Sequence, residues 1–120
     1  MGGNVLSWKQ ALEKGFMPLA YDYRLEQVPK EWLDATLDFK IWAKKVLAIN
    51  GYFSVQETGI RIQLSIYLSK EQTYRVGSSL VDFYRCPLGR TYRIHIGVNG
   101  KGNLLLLDII PVIVASPSSN

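Results

Sequence analysis

From Ile60 to Leu68 the chain alternates without a break. Ile60, Ile62, Leu64, Ile66 and Leu68 are apolar, and Arg61, Gln63, Ser65 and Tyr67 stand between them. Successive side chains of an extended chain point to opposite faces, so a two-residue period of this length specifies a strand with one face in a core and the other toward water. A helix would scatter the same residues around its axis. Whatever else the chain does, it builds a sheet that is covered on one side.

The neighbouring segments supply further strands. Tyr52–Gln56 reads as a short strand that turns through Glu57-Thr58-Gly59 into Ile60–Leu68. Tyr74–Arg85 reads as a strand interrupted by Gly77-Ser78-Ser79, and Pro87-Leu88-Gly89 turns the chain again. In the next strand Tyr92, Ile94, Ile96 and Val98 point inward, while Arg93 and His95 point outward. Asn99-Gly100 is a strong hairpin signal, because both residues tolerate the positive φ of a tight turn. It leads into Leu104–Val114 as the last strand.

Ahead of these strands the spacing changes. Ser7-Trp8-Lys9-Gln10 is a capping box that opens a short helix ending at Gly15. Pro29-Lys30-Glu31 then starts a segment in which Trp32, Ala35, Phe39, Trp42, Ala43 and Val46 recur at three- and four-residue intervals. Glu31, Asp34 and Asp38 come early, Lys40, Lys44 and Lys45 come late, and Asn50-Gly51 follows as a stop. This order predicts one helix over 29–49; the rival reading is a strand at 37–43, where Leu37, Phe39, Ile41 and Ala43 alternate. The expected fold is therefore α+β: a long helix packed on a four- or five-stranded antiparallel meander, with a short N-terminal helix. One domain spans 1–115, and 116–120 form a disordered tail. The helix-then-meander order resembles cystatin-type and nuclear-transport-factor-like folds in topology alone, since the Gln-x-Val-x-Gly hairpin of the cystatins has no counterpart here.

Size and composition restrict the class. A chain of 120 residues, 48% hydrophobic and 20% charged, can bury a core without metal or disulfide staples. Cys86 is the single cysteine and has no partner within the chain. With no signal peptide over 1–15, the expected setting is intracellular and cytoplasmic. The most apolar run, Leu104–Val114, contains Asp108 and Pro111 and falls well short of the roughly 20 residues a spanning helix requires.

The chain is poor in catalytic chemistry. His95 is the only histidine, and Cys86 lies at a turn well down the preceding segment, so a Cys–His dyad would require an accidental contact. Asp34 and Asp38 lie four residues apart among polar neighbours, as on a solvated helix face. No spacing of His, Cys, Asp and Glu fits zinc or calcium, and the glycines around Asn99-Gly100 lack a phosphate-loop context. These observations point away from an enzyme and imply no cofactor and no metal; a small enzyme or ligand-binding protein with a helix-on-sheet cleft is the third reading.

Two features suggest partners. Arg75, Arg85, Arg90, Arg93 and Lys101 stand against Asp82 alone over 75–103, so this stretch carries a charge equal to the whole net charge of +4. Such a field suits phosphate, an anionic membrane surface or an acidic protein. The arginines are interleaved with Tyr74, Tyr84 and Tyr92, which suits single-stranded nucleic acid. The last strand, in turn, is apolar at successive positions, with Leu105, Leu107, Ile109 and Val112 as interface candidates and Pro111 placing it at an edge. The first expectation is a non-enzymatic assembly protein, a scaffold or matrix- or coat-like subunit, that self-associates or docks on a partner protein through this strand. Single-stranded nucleic-acid binding through 74–93 is the alternative.

Overall fold

The computed structural model describes residues 5–21, 32–44, 46–67, 83, 86–98 and 100–112. Among them run strand β1 (Val5–Leu6), helix α1 (Trp8–Glu13) and five longer strands. These are β2 (Trp32–Trp42), β3 (Ala48–Val55), β4 (Arg61–Tyr67), β5 (Thr91–Val98) and β6 (Leu104–Pro111). Strands make up 56% of the described residues, and no helix among them is longer than the six residues of α1. The expectation of an α+β fold is overturned: the molecule is a closed barrel.

Closure follows from the pairing. β2 pairs antiparallel with β3, β3 with β4, and β5 with both β6 and β2. The ring is completed by a parallel contact of β4 with β6 at Ser65 and Leu105. The circular order β2-β3-β4-β6-β5 is therefore not a meander, because β4 and β6 are neighbours although β5 lies between them in sequence. β1 adds a short parallel strand outside β2, pairing Val5 with Lys40 and Leu6 with Ile41.

The segment 29–49, expected as one helix, is β2, a turn and the start of β3, with residues 29–31 outside the described set. A bulge explains the misleading spacing. β2 bonds to β3 with a register shift between Leu37 and Phe39, which inserts Asp38 as an extra residue. Ala35 and Leu37 therefore point into the barrel, and so does Lys40 three residues later, a spacing that imitates a helix. The strand is also covered on both faces, because Phe39 and Ile41 lie outside the barrel beneath α1 and Phe16. With both faces apolar, the alternation that marks a half-exposed strand disappears. Gly51, expected as a helix stop, sits within β3, where a Cβ would lie 2.8 Å from Phe83 and 2.9 Å from Phe53. The barrel core is Ala35, Leu37, Ile49, Phe53, Val55, Ile62, Leu64, Ile66, Tyr92, Ile94, Ile96, Leu104, Leu106 and Ile109, plugged by Phe83.

Other expectations agree with the structure. The inward sets Ile62, Leu64, Ile66 and Tyr92, Ile94, Ile96 are buried, and β5 and β6 form the hairpin. The capping box of α1 is present: the Ser7 amide donates to Gln10 Oε1 at 2.9 Å, and the Gln10 amide donates to Ser7 Oγ at 3.1 Å. Gly15, with φ of 91°, ends the helix in the left-handed region. The strand expected over Tyr74–Arg85 and the tail 116–120 lie outside the described residues, apart from Phe83 and Phe83 alone. No described helix is long and apolar enough to cross a membrane.

Candidate nucleic-acid interface

Because Ile49, Phe53, Val55, Ile62, Leu64 and Ile66 fill the barrel, the intervening residues of β3 and β4 form its outer face. The register arranges them in rows: Ala48 with Tyr67, Asn50 with Ser65, Tyr52 with Gln63, and Ser54 with Arg61. Ser65 Oγ donates to Asn50 Oδ1 across one row at 3.1 Å. None of these eight residues is acidic. Ala48 and Tyr52 are buried; the other six positions offer hydrogen-bonding groups, the Tyr67 phenol and the Arg61 guanidinium, and the Asp38 carboxylate meets Ser54 at the edge.

An aromatic layer borders this face on the β2 side. The capping box turns α1 so that Ala11 is buried against the barrel, and Phe16, buried after the Gly15 turn, inserts between Tyr52 and Phe39. Its ring centroid lies 4.7 Å from that of Tyr52 and 5.0 Å from that of Phe39, both edge to face. Two cations rest on rings of this layer. The Arg61 guanidinium carbon is 5.7 Å from the Tyr21 centroid, and Lys44 Nζ is 5.6 Å from that of Trp8. By register Arg61 opens one end of the face, and Lys44 follows β2 at the other.

Asp38 marks the rim. The bulge aims its carboxylate at the N-terminal segment, where Oδ2 accepts from Tyr21 Oη at 2.9 Å and from Ser54 Oγ at 2.6 Å. Burial, reinforced by the bond to this carboxylate, pushes the Tyr21 phenol well above its ordinary range. Burial also pushes Tyr52 up to about 12. Between these groups lies a cavity of about 370 Å³, lined by Phe16, Tyr21, Asp38, Phe39, Ser54 and Arg61 among others.

The residues singled out from sequence lie elsewhere. Arg93 is exposed on the outer face of β5, on the far side of the ring from β3 and β4, and its Nε is 3.1 Å from Asp34 Oδ1. His95 beside it stacks on Trp32, with centroids 5.0 Å apart and planes at 12°. Arg90 and Lys101 are exposed in turns, Lys101 just ahead of the β6 residues that reach β4. Tyr92 points into the core and donates from its hydroxyl to the Pro87 carbonyl at 3.0 Å. Arg75, Tyr84 and Arg85 lie outside the described residues. In β6, Ile109 is buried in the core, Leu105 and Leu107 are half-buried, as is Val112 just after the strand, and Ile110 is 47% exposed. Pro111 does not mark an edge strand, because β6 has β5 on one side and β4 on the other.

Arg61, Tyr67 and Tyr21 were missed as site residues, although the alternation of 60–68 already turns Arg61 and Tyr67 outward. Tyr21 carried no comparable signal, since its position depends on the path of the chain after Gly15. Among the described residues no group of three or more His, Cys, Asp or Glu side chains could hold a metal ion. No family model, curated protein or solved structure matches the chain.

Proposed function

We propose that this protein binds single-stranded nucleic acid across the outer face of β3 and β4. The observation that carries the reading is that this face joins stacking and hydrogen-bonding groups to cations at both ends, with the neighbouring Asp38 carboxylate held at the rim by Tyr21 and Ser54. Strand binders combine a positive groove with rings or guanidinium planes on which bases stack. Arg61, exposed and lying with one face on Tyr21, leaves its other face to a base; Tyr67 offers a ring one strand-length away. The barrel connectivity adds support by analogy alone, since five strands in this circular order, with the third and fifth parallel, are the arrangement of OB barrels, whose second and third strands bind oligonucleotides or oligosaccharides.

The test is fluorescence anisotropy with a labelled oligothymidylate and with duplex DNA at low and at physiological salt. Binding to the single strand, weakening with salt and exceeding that to duplex, is the expected result. Arg61→Ala should lower the salt slope by about one counterion unit. Absence of single-strand binding at low salt overturns the reading.

A second reading, self-association through the outer side of β6, is favoured by the exposed Ile110 and the half-buried Leu105, Leu107 and Val112. Sedimentation across a wide dilution tests it, and a single monomeric species at every concentration defeats it. An anionic membrane surface remains the competitor for the basic residues; vesicles of anionic lipid serve as the control in the anisotropy experiment.

A further inference from the structure

We infer that the cavity between the N-terminal segment and β2–β4 is a pocket for one guanine base. The inference rests on the single-strand reading and names the base which that surface selects. Both hydroxyls on the polar wall already donate to one carboxylate oxygen: Tyr21 Oη and Ser54 Oγ give their protons to Asp38 Oδ2. Their oxygens keep lone pairs, and Asp38 Oδ1 receives no hydrogen bond from the described residues. Four of the lining amides are occupied as well. Gly15, Phe16, Tyr21 and Gly89 donate their N–H groups to the carbonyls of Leu12, Ala11, Pro18 and Leu37. The wall therefore presents acceptors, and Arg61 is the cationic side chain that faces them.

Charge narrows the class. A free phosphate would meet the Asp38 carboxylate, and an amine or guanidinium would meet Arg61, so the occupant is neutral with donors on one edge and acceptors on another. Phe39, half-buried at the cavity wall, supplies ring surface for a planar group. The volume of about 370 Å³ is at the small end of small-molecule sites, suited to one nucleotide. Guanine alone among the common bases offers two adjacent donors, N1–H and the 2-amino group, on its pairing edge. Adenine and cytosine place a ring acceptor beside their amino group, and uracil and thymine flank one N–H with two carbonyls. In each of these a lone pair would face the acceptor wall. Guanine also carries O6 and N7, the acceptors that arginine recognises.

Calorimetric titration of the intact chain with the 5′-monophosphates of guanosine, inosine, adenosine, cytidine and uridine tests the pocket directly. Guanosine monophosphate should bind at least fivefold more tightly than the adenosine, cytidine and uridine nucleotides, with inosine, which lacks the 2-amino group, between them. Asp38→Asn, checked for folding by circular dichroism, should erase the preference. The inosine comparison needs no variant, so the test survives if Asp38→Asn does not fold. Equal affinity for all five nucleotides, or a guanine preference that persists in Asp38→Asn, overturns the inference. A second arm separates it from the broader reading: one dG placed in an oligothymidylate should tighten binding by a similar factor. If the oligothymidylate binds and the dG has no effect, the guanine pocket is lost and the strand-binding face stands. If guanosine monophosphate is selected but no oligonucleotide binds, the pocket stands and the strand-binding face is lost.

Discussion

Lys40 Nζ donates a hydrogen bond to the carbonyl oxygen of Cys86 at 2.7 Å, from within the barrel and with no exposed surface of its own. The same ammonium donates to the Phe83 carbonyl at 2.9 Å and lies 5.5 Å from the centre of the Phe83 ring. A buried charge is tolerated only where its donors are matched, and here they tie β2 to the segment that plugs the core ahead of β5. Burial lowers the Lys40 pKa from the usual 10.5 to about 8.

Stability should therefore depend on pH in an unusual direction. Between about 8 and 10.5 the unfolded chain holds a proton on Lys40 that the folded chain has lost, so stability rises with pH in that window. The gain is on the order of 3 kcal/mol at most. Above about 10 the phenols reverse the trend, because Tyr21, Tyr52 and Tyr92 are all shifted upward by burial and stay protonated in the folded state after the unfolded chain ionises. Urea midpoints should peak near pH 10, and Lys40→Met should abolish the rise. A flat profile from pH 8 to 10 in the parent chain contradicts this account.

Gly51→Ala should destabilise the barrel by about 1–3 kcal/mol, because the new methyl meets ring atoms of Phe83 and Phe53 at 2.8 and 2.9 Å in a packed core. Gly97→Ala is the informative comparison. Its methyl would meet Leu107 Cδ1 at 2.6 Å and Cγ at 2.9 Å, but Leu107 is half-buried on the outer face, so a change of its χ1 rotamer should hold the cost below about 1 kcal/mol. Thermal unfolding of the two variants ranks them. Equal losses would show that outer-face crowding matters as much as core crowding.

The contrast between 60–68 and 32–42 shows what the sequence made legible. Ile62, Leu64 and Ile66 were readable as core because water covers the other side of β4, leaving Arg61, Gln63 and Ser65 polar. β2 lacks that contrast. Its outer residues Phe39 and Ile41 are covered by α1 and Phe16, and the Asp38 bulge shifts the inward set by one place. The rival strand at 37–43 was nearer the truth than the helix, but the four alternating residues do not share one face, since Leu37 points inward while Phe39 and Ile41 face out. Barrel closure was not legible at all, because the parallel contact of Ser65 with Leu105 joins segments that no local pattern relates. The same gap hid the site: Arg61 pointed outward in the alternation, but only the fold brings Tyr21 and Asp38 to it.

Phe16→Ala should separate the lid that residues 8–16 form over Phe39, Ile41 and Tyr52 from the barrel. Phe16 packs against Trp8, Tyr21, Phe39 and Tyr52, all outside the barrel core. Its loss should cost about 3–5 kcal/mol if lid and barrel unfold as one unit. Hydrogen exchange then distinguishes the cases: protection lost from residues 8–16 while Ile62 and Ile94 keep theirs identifies an independently opening lid. Uniform loss across both sets identifies a single cooperative unit.

The final prediction sets two arginines against each other. Arg93 and Asp34 form an exposed pair, 58% and 40% accessible, so their contribution to stability should be below about 1 kcal/mol. Arg93 is also neutralised in place by Asp34 and stands across the barrel from β3 and β4, so Arg93→Ala should leave the salt slope of oligonucleotide binding unchanged. Arg61 rests on a neutral phenol and forms no ion pair among the described residues, the nearby Asp38 carboxylate being engaged by Tyr21 and Ser54. Arg61→Ala should therefore weaken binding and lower the slope by about one, as expected for a cation that displaces one counterion. Measuring both slopes on the same oligonucleotide decides where the strand lies. If Arg93→Ala lowers the slope and Arg61→Ala does not, the strand crosses the outer face of β2 and β5, where the stacked Trp32 and His95 would supply the rings.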